Sequence, residues 1–142
     1  MIKKISSLVI GSMLFLSVNS FASDAKGLNV MLTSEVPQTQ QMAMVLSMMT
    51  LKKGKNINMV LCSNAGDLAI KGKESPALKP MNKSPKMMLQ AIMKKGANVE
   101  ICPLYLPNAN LDKSSLIDGI TVAKPPKVAA KLLNSDYTTL SY

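Results

Sequence analysis

The sequence predicts a three-layer α/β/α sandwich built on a mostly parallel sheet of about five strands. Short apolar runs of strand length alternate with segments whose apolar residues recur at helical spacing. The links between them are short, and a strand–helix–strand path of this kind demands parallel strands, right-handed crossovers and helices on both sheet faces. Two helix-to-strand passages are also spelled alike, KKGKNINMVLC and KKGANVEIC: Lys-Lys-Gly, one residue, Asn, an apolar run, Cys.

The sandwich begins after a leader. Lys3 and Lys4 precede an uncharged, largely apolar run from Ile5 to Val18, and Ser20-Phe21-Ala22 supplies a small-x-small cleavage pattern. This is the pattern of a secretory signal peptide over residues 1–22. The run is about 14 residues long, short of the roughly 20 that a membrane-spanning helix needs, and no second such run follows. The expected mature protein is therefore a single domain, residues 23–142, soluble in the periplasm and without an integral membrane segment.

Within it, LNVMLT from Leu28 reads as a buried strand. Ser34 and Pro37 open a helix whose Met42, Val45, Leu46 and Met49 share one face, and Lys52-Lys53-Gly54 ends it. The run from Lys55 to Cys62 is the second strand. SNAGDLAIKG holds a short helical turn, and KESPALKPMNKSP, rich in lysine and proline, reads as an exposed, mobile loop. Ser84 caps the next helix with Pro85 at its first position, and Gly96 ends it. ANVEIC is the third strand. Ser114 and Ser115 cap a short helix, GITVA from Gly119 is a short strand, Pro125 and Pro126 open a last helix, and DYTTLSY closes the sheet.

Composition excludes several function classes. The 17 basic residues are all lysine, and the formal charge of +9 falls to +7 once Lys3 and Lys4 leave with the leader. Nucleic-acid binding draws on arginine forks and aromatic stacking platforms, so no nucleic-acid partner is expected; weak attraction to anionic membrane surfaces or acidic partners remains open. With no histidine, the chain cannot assemble a Ser-His-Asp or Cys-His pair, a histidine zinc site or a histidine general base. No cofactor or metal motif is expected. The methionines crowd two helices, and although thioethers with a thiolate bind Cu(I), these positions face a sheet, where methionine serves as adaptable core filler.

Both cysteines, Cys62 and Cys102, stand at the carboxyl ends of strands, where ligands and reactive groups gather in such sheets. Each is open to three readings: packing, half of a disulfide, or a thiol presented for chemistry. Pro103 suits the first turn after a strand, so backbone amides there and Lys113 are candidates for stabilising a Cys102 thiolate.

The stretch GANVEICPLYLPNANL, followed by LIDGITVAKPPKVAAKLLNSDYTTLSY, resembles the DsrE/DsrF-like family of small sulfur-handling α/β proteins, with a match from about Asn29 to Tyr142. Gly96, Cys102 and Gly119 stand where that family has a glycine before the cysteine-bearing strand, the cysteine itself, and a glycine before the short strand. The resemblance implies a five-stranded parallel sheet, a homotrimer or homohexamer, and Cys102 as acceptor of sulfur in persulfide form from a donor protein or small thiol. It also implies that the second and third strands are neighbours, which puts Cys62 on the same sheet edge as a possible resolving partner. Two motifs differ: the turn after the cysteine is Leu106-Pro107-Asn108-Ala109-Asn110 in place of a small-residue turn with paired arginines, and Tyr105 stands where other members have a second cysteine. The alternative is a non-catalytic oligomeric binding module with structural cysteines.

Overall fold

The computed structural model describes residues 24–142. The expected leader and its cleavage site lie outside them. Five strands, β1 (Gly27–Leu32), β2 (Asn56–Leu61), β3 (Asn98–Ile101), β4 (Thr121–Val122) and β5 (Tyr137–Ser141), form one sheet in the order β4-β3-β2-β1-β5. Every pairing is parallel. Helices α1 (Pro37–Lys52) and α2 (Pro85–Lys94) lie side by side on one face; the short α3 (Tyr105–Asn108) follows β3, and α4 (Pro125–Leu132) crosses the other face on the way back to β5. The sheet thus grows outward from β1 to β4 with its crossovers on one face and returns on the opposite one, as right-handed connections require. Among the described residues no helix is long and apolar enough to cross a membrane.

The two faces differ in chemistry because side chains alternate along each strand. Toward α1 and α2 point Val30, Leu32, Ile57, Met59, Leu61, Val99 and Ile101, all essentially inaccessible and joined by Met44, Leu89 and Ile92 from the helices. This is the hydrophobic core. The face beneath α4 carries Asn29, Met31, Asn58, Val60 and Glu100, paired in register across three strands. Its polar groups are matched: Asn58 Nδ2 donates to Asn29 Oδ1 at 3.1 Å, Asn29 Nδ2 to the Lys131 carbonyl at 2.6 Å, and Lys131 Nζ to Glu100 Oε2 at 2.6 Å. Burying a carboxylate without such a partner costs several kcal/mol, so this pair ties α4 to β3.

The Lys-Lys-Gly signals end α1 and α2 as read. Gly54 and Gly96 adopt φ of 73° and 95°, the left-handed conformation that a residue with a Cβ resists. Ser84 caps α2, its Oγ accepting from the Met87 amide at 3.1 Å. Two other caps fall elsewhere. Val36, not Ser34, occupies the N-cap of α1, with Ser34 Oγ accepting from the Val36 amide at 3.1 Å and the Ser34 carbonyl taking the Gln40 amide group at 2.9 Å. Asp112, not Ser114 or Ser115, caps the 3-10 turn Lys113–Ser115, accepting from the Ser114 amide at 2.8 Å.

The face of α1 is a larger correction. Met42, Leu46 and Met49, expected against the sheet, are 52%, 39% and 45% exposed, and the buried stripe is Gln40, Gln41, Ala43, Met44, Ser47 and Met48. The helix is nearly as apolar outside as inside, so periodicity could not choose the side. Burial of polar Ser47 is tolerated because its hydroxyl donates to the Ala43 carbonyl at 2.7 Å. Gln41 has no such relief: among the described residues its amide nitrogen and oxygen are the buried side-chain atoms without a hydrogen-bond partner.

Candidate functional site

Cys62 and Cys102 come together at the carboxyl edge of the sheet. Leu61 and Ile101 are the last paired residues of β2 and β3, and each cysteine is the next residue along its strand. The ladder hydrogen bonds continue through both, with the Cys62 amide donating to the Leu32 carbonyl at 2.9 Å and the Cys102 amide to the Leu61 carbonyl at 2.8 Å. The two side chains therefore leave neighbouring strands on the same face, the one beneath α4. Both are half-buried free thiols. Burial first, then a hydrogen bond to Cys102 and the negative charge a Cys102 thiolate brings, push the Cys62 thiol up to about 11. Cys62 thus holds its proton more tightly than an ordinary thiol does.

After Cys62 the chain turns at once. Ser63 takes a left-handed φ of 50°, uncommon for a residue with a Cβ, and leads into a 3-10 segment, Ser63–Ala69. After Cys102, Pro103 and Leu104 lead into α3, and the Tyr105 amide donates to the Cys102 carbonyl at 3.0 Å. One of the amides of the turn after Pro103, the candidates for the sulfur, is therefore used by the backbone. Lys113 also stands away from the cleft, in the 3-10 turn before β4. The cation present is Lys73, from the loop after the 3-10 segment.

The two turns enclose an open cleft of about 720 Å³ of mixed character, where Ser63, Asn64, Asp67, Lys73, Tyr105 and Asn108 meet the two cysteines, Leu104 and Ala109. At its wall the Tyr105 hydroxyl donates to Asp67 Oδ1, and Lys73 Nζ lies 3.1 Å from Asp67 Oδ2. Burial opposes ionisation of Asp67, but the Tyr105 hydroxyl and Lys73 outweigh it and hold the carboxyl below its ordinary value. Burial, and then Asp67, raise the Tyr105 phenol. Asp67 is accordingly an anion and Tyr105 a neutral donor. Lys86 fixes the loop that carries Lys73, donating to the carbonyl of Lys73 at 2.7 Å and to that of Ile70. On the other side of the cysteines lies an apolar cleft of about 430 Å³, lined by Met31, Val60, Pro103, Leu104, Ala123 and residues of α4. The two sulfurs are common to both clefts.

Sequence reading placed the cysteines at strand ends but missed Asp67, Lys73 and Asn64. The signal for them lay only in their following the first cysteine within a dozen residues, in a segment read as a turn and a loop. Tyr105 was noted for what it replaces, a second cysteine; the structure gives it a partner 38 positions earlier.

An open parallel sheet bearing a dithiol at its carboxyl edge defines the class: an α/β protein with a strand-end cysteine pair. No protein-family model matches the chain, and no curated protein does. Solved structures do. The YchN protein of E. coli matches with a TM-score of 0.67 at 16% identity, over 83% of this chain and 99% of that one. BT1422 of Bacteroides thetaiotaomicron, described as a conserved protein of unknown function, matches with a TM-score of 0.65 at 18% identity over 85% and 98%. MTH1491 of Methanobacterium thermoautotrophicum, also of unknown function, gives a TM-score of 0.60 at 10% identity over 84% and 100%. At these identities the likeness establishes a shared fold across nearly the whole described domain.

Proposed function

We propose that this chain is an exported, periplasmic member of the DsrE/DsrF-like family that handles sulfur or thiols through Cys102, with Cys62 as its resolving partner. The observation that carries the reading is the pair itself: two free thiols at the ends of adjacent strands, open to the same cleft. In the forward step a Cys102 thiolate attacks the outer sulfur of a persulfide donor. A bond forms between Cys102 Sγ and that sulfur, the donor's S–S bond breaks, and the donor leaves as a thiolate. Passing the outer sulfur to an acceptor thiolate restores Cys102. Where no acceptor arrives, Cys62 attacks Cys102 Sγ, expels hydrosulfide and closes a disulfide that a dithiol reductant must reopen. Lys73, paired with Asp67, is the cation at the wall of the cleft into which Cys102 opens.

The family reading carries a homotrimer or homohexamer with it. The exposed stripe Met42, Leu46 and Met49 on α1, with Met87 of the adjacent α2, supplies apolar surface suited to such contacts, and the unsatisfied Gln41 amide lies on the same helix. This surface equally favours the second reading, a non-catalytic oligomeric module. The test is persulfide trapping on the reduced mature protein: incubation with a persulfide donor, alkylation, and peptide mass mapping. The expected result is an added 32-Da sulfur, roughly the mass of one sulfur atom, on the Cys102 peptide, and its loss on addition of an acceptor thiol. Failure of Cys102 to take up sulfur, together with slow labelling of both thiols, would leave the module reading.

A further inference from the structure

We infer that Cys62, Cys102 and Met31 form a binding site for a soft monovalent metal ion, Cu(I), at the floor of the apolar cleft beneath α4. Thiolates and thioethers select Cu(I) over hard or borderline ions. The three sulfur-bearing residues share one sheet face: Met31 pairs in register with Val60, two residues before Cys62, and all three line the same cleft. The remaining lining is apolar, from Val60, Pro103 and Ala123 among others. Such a pocket offers sulfur and nothing else.

This donor set discriminates between metals. Zn²⁺ takes four ligands in tetrahedral array, drawn from Cys, His, Asp and Glu. The chain has no histidine, and among the described residues no group of three or more Cys, Asp and Glu could hold a metal ion. The nearest carboxylate of the neighbouring cleft, Asp67, is already engaged by Tyr105 and Lys73. Cu(I) needs only two or three sulfurs and no water, which suits an apolar floor.

The backbone lets an ion bridge the two sulfurs without the local movement that closing a disulfide requires. In a regular parallel ladder neighbouring strands lie about 4.8 Å apart with their Cβ bonds nearly parallel, whereas a disulfide draws the sulfurs to about 2.05 Å and the Cβ atoms to about 3.8 Å. Cys62 and Cys102 leave adjacent strands on one face of such a ladder, so an ion can bridge them from the cleft that both line. Binding exchanges thiol protons for the metal: Cu⁺ and two thiols give a bis-thiolate complex of net charge −1 and two protons, with copper unchanged in oxidation state.

The inference uses the sulfurs differently from the proposed sulfur chemistry and does not depend on it. The experiment titrates Cu(I) into the reduced, anaerobic mature protein against a chromophoric Cu(I) chelator between pH 6 and 8, with X-ray absorption on the loaded sample. The expected result is one Cu(I) per chain and a first shell of two or three sulfurs. Loss of an outer-shell partner typically costs about 10–100-fold, so losing a direct ligand in Cys62→Ser or Cys102→Ser should cost at least about 100-fold, and the weaker thioether in Met31→Leu about 10-fold. Circular dichroism and labelling of the remaining thiol confirm that each variant is folded. Competition no stronger than that of the Cys62→Ser/Cys102→Ser double variant, a shell containing nitrogen or oxygen, or unchanged affinity in Met31→Leu would overturn the assignment. Persulfide trapping on metal-free protein reads the sulfur chemistry separately, so either can fail alone.

Discussion

Gly66 sits where no side chain fits, and replacing it isolates the contact that places Tyr105 at the cleft. A Cβ on Gly66 would stand 2.3 Å from Tyr105 Cδ2 and 2.5 Å from Cε2. Carbon atoms rest at about 3.5–4.0 Å, so in Gly66→Ala the ring must move by more than about 1 Å. Gly66 does not use the left-handed backbone region, so alanine carries no conformational penalty there and removes unfolded-state freedom worth about 0.4–1 kcal/mol in its favour. Against this stand overpacking at about 1–3 kcal/mol and the Tyr105–Asp67 hydrogen bond at about 1 kcal/mol, for a net loss of about 2 kcal/mol. With a urea m-value of about 2 kcal/mol/M, the unfolding midpoint should fall by about 1 M with m unchanged. The decisive arm is the double-mutant cycle. In a Tyr105→Ala background the clash and the hydrogen bond are both gone, and Gly66→Ala should stabilise by about 0.4–1 kcal/mol, a coupling of about 2.4–3 kcal/mol. An equal cost in both backgrounds, or none in the wild type, would refute the placement of the ring.

Stability should decline at alkaline pH: Cys62 binds its proton more tightly folded, at about 11, than at the ordinary thiol value of 9.0, so its contribution is complete below about 9 and lost as pH rises toward 11. Chemical unfolding across that window should show a shallower decline in Cys62→Ala than in the wild type. Lys131→Met removes the partner of a buried carboxylate and should cost about 2–3 kcal/mol by urea unfolding, with most of it recovered in Lys131→Met/Glu100→Gln, where no charge is left unpaired. The proposed assembly through α1 predicts that the wild type scatters light as a trimer or hexamer and that Leu46→Lys with Met49→Lys lowers that mass without loss of helical signal; a monomeric wild type, or a mass unchanged by the pair, would refute that surface.

By itself the sequence determined the order of strands and helices, because each element is bounded by local signals that no distant contact needs to supply: Lys-Lys-Gly at two helix ends, Ser84-Pro85 at a helix start, glycine or proline at the turns. It also put both cysteines at strand carboxyl ends, since a strand end is a local property. The side of α1 that is buried was left to the tertiary structure. Methionine and leucine occur all around that helix, and only packing against β1, β2 and α2 selects Met44 and Met48 over Met42 and Met49. The same holds for the site. Strand adjacency in the sheet sets Cys62 beside Cys102, and the return path of α4 over the polar face gives Glu100 its lysine. Two separate turns bring Asp67 to Tyr105. Each of these pairs joins residues about 30 or more positions apart, separations at which chain entropy is overcome only by the packing of the whole sheet, and no local pattern encodes them.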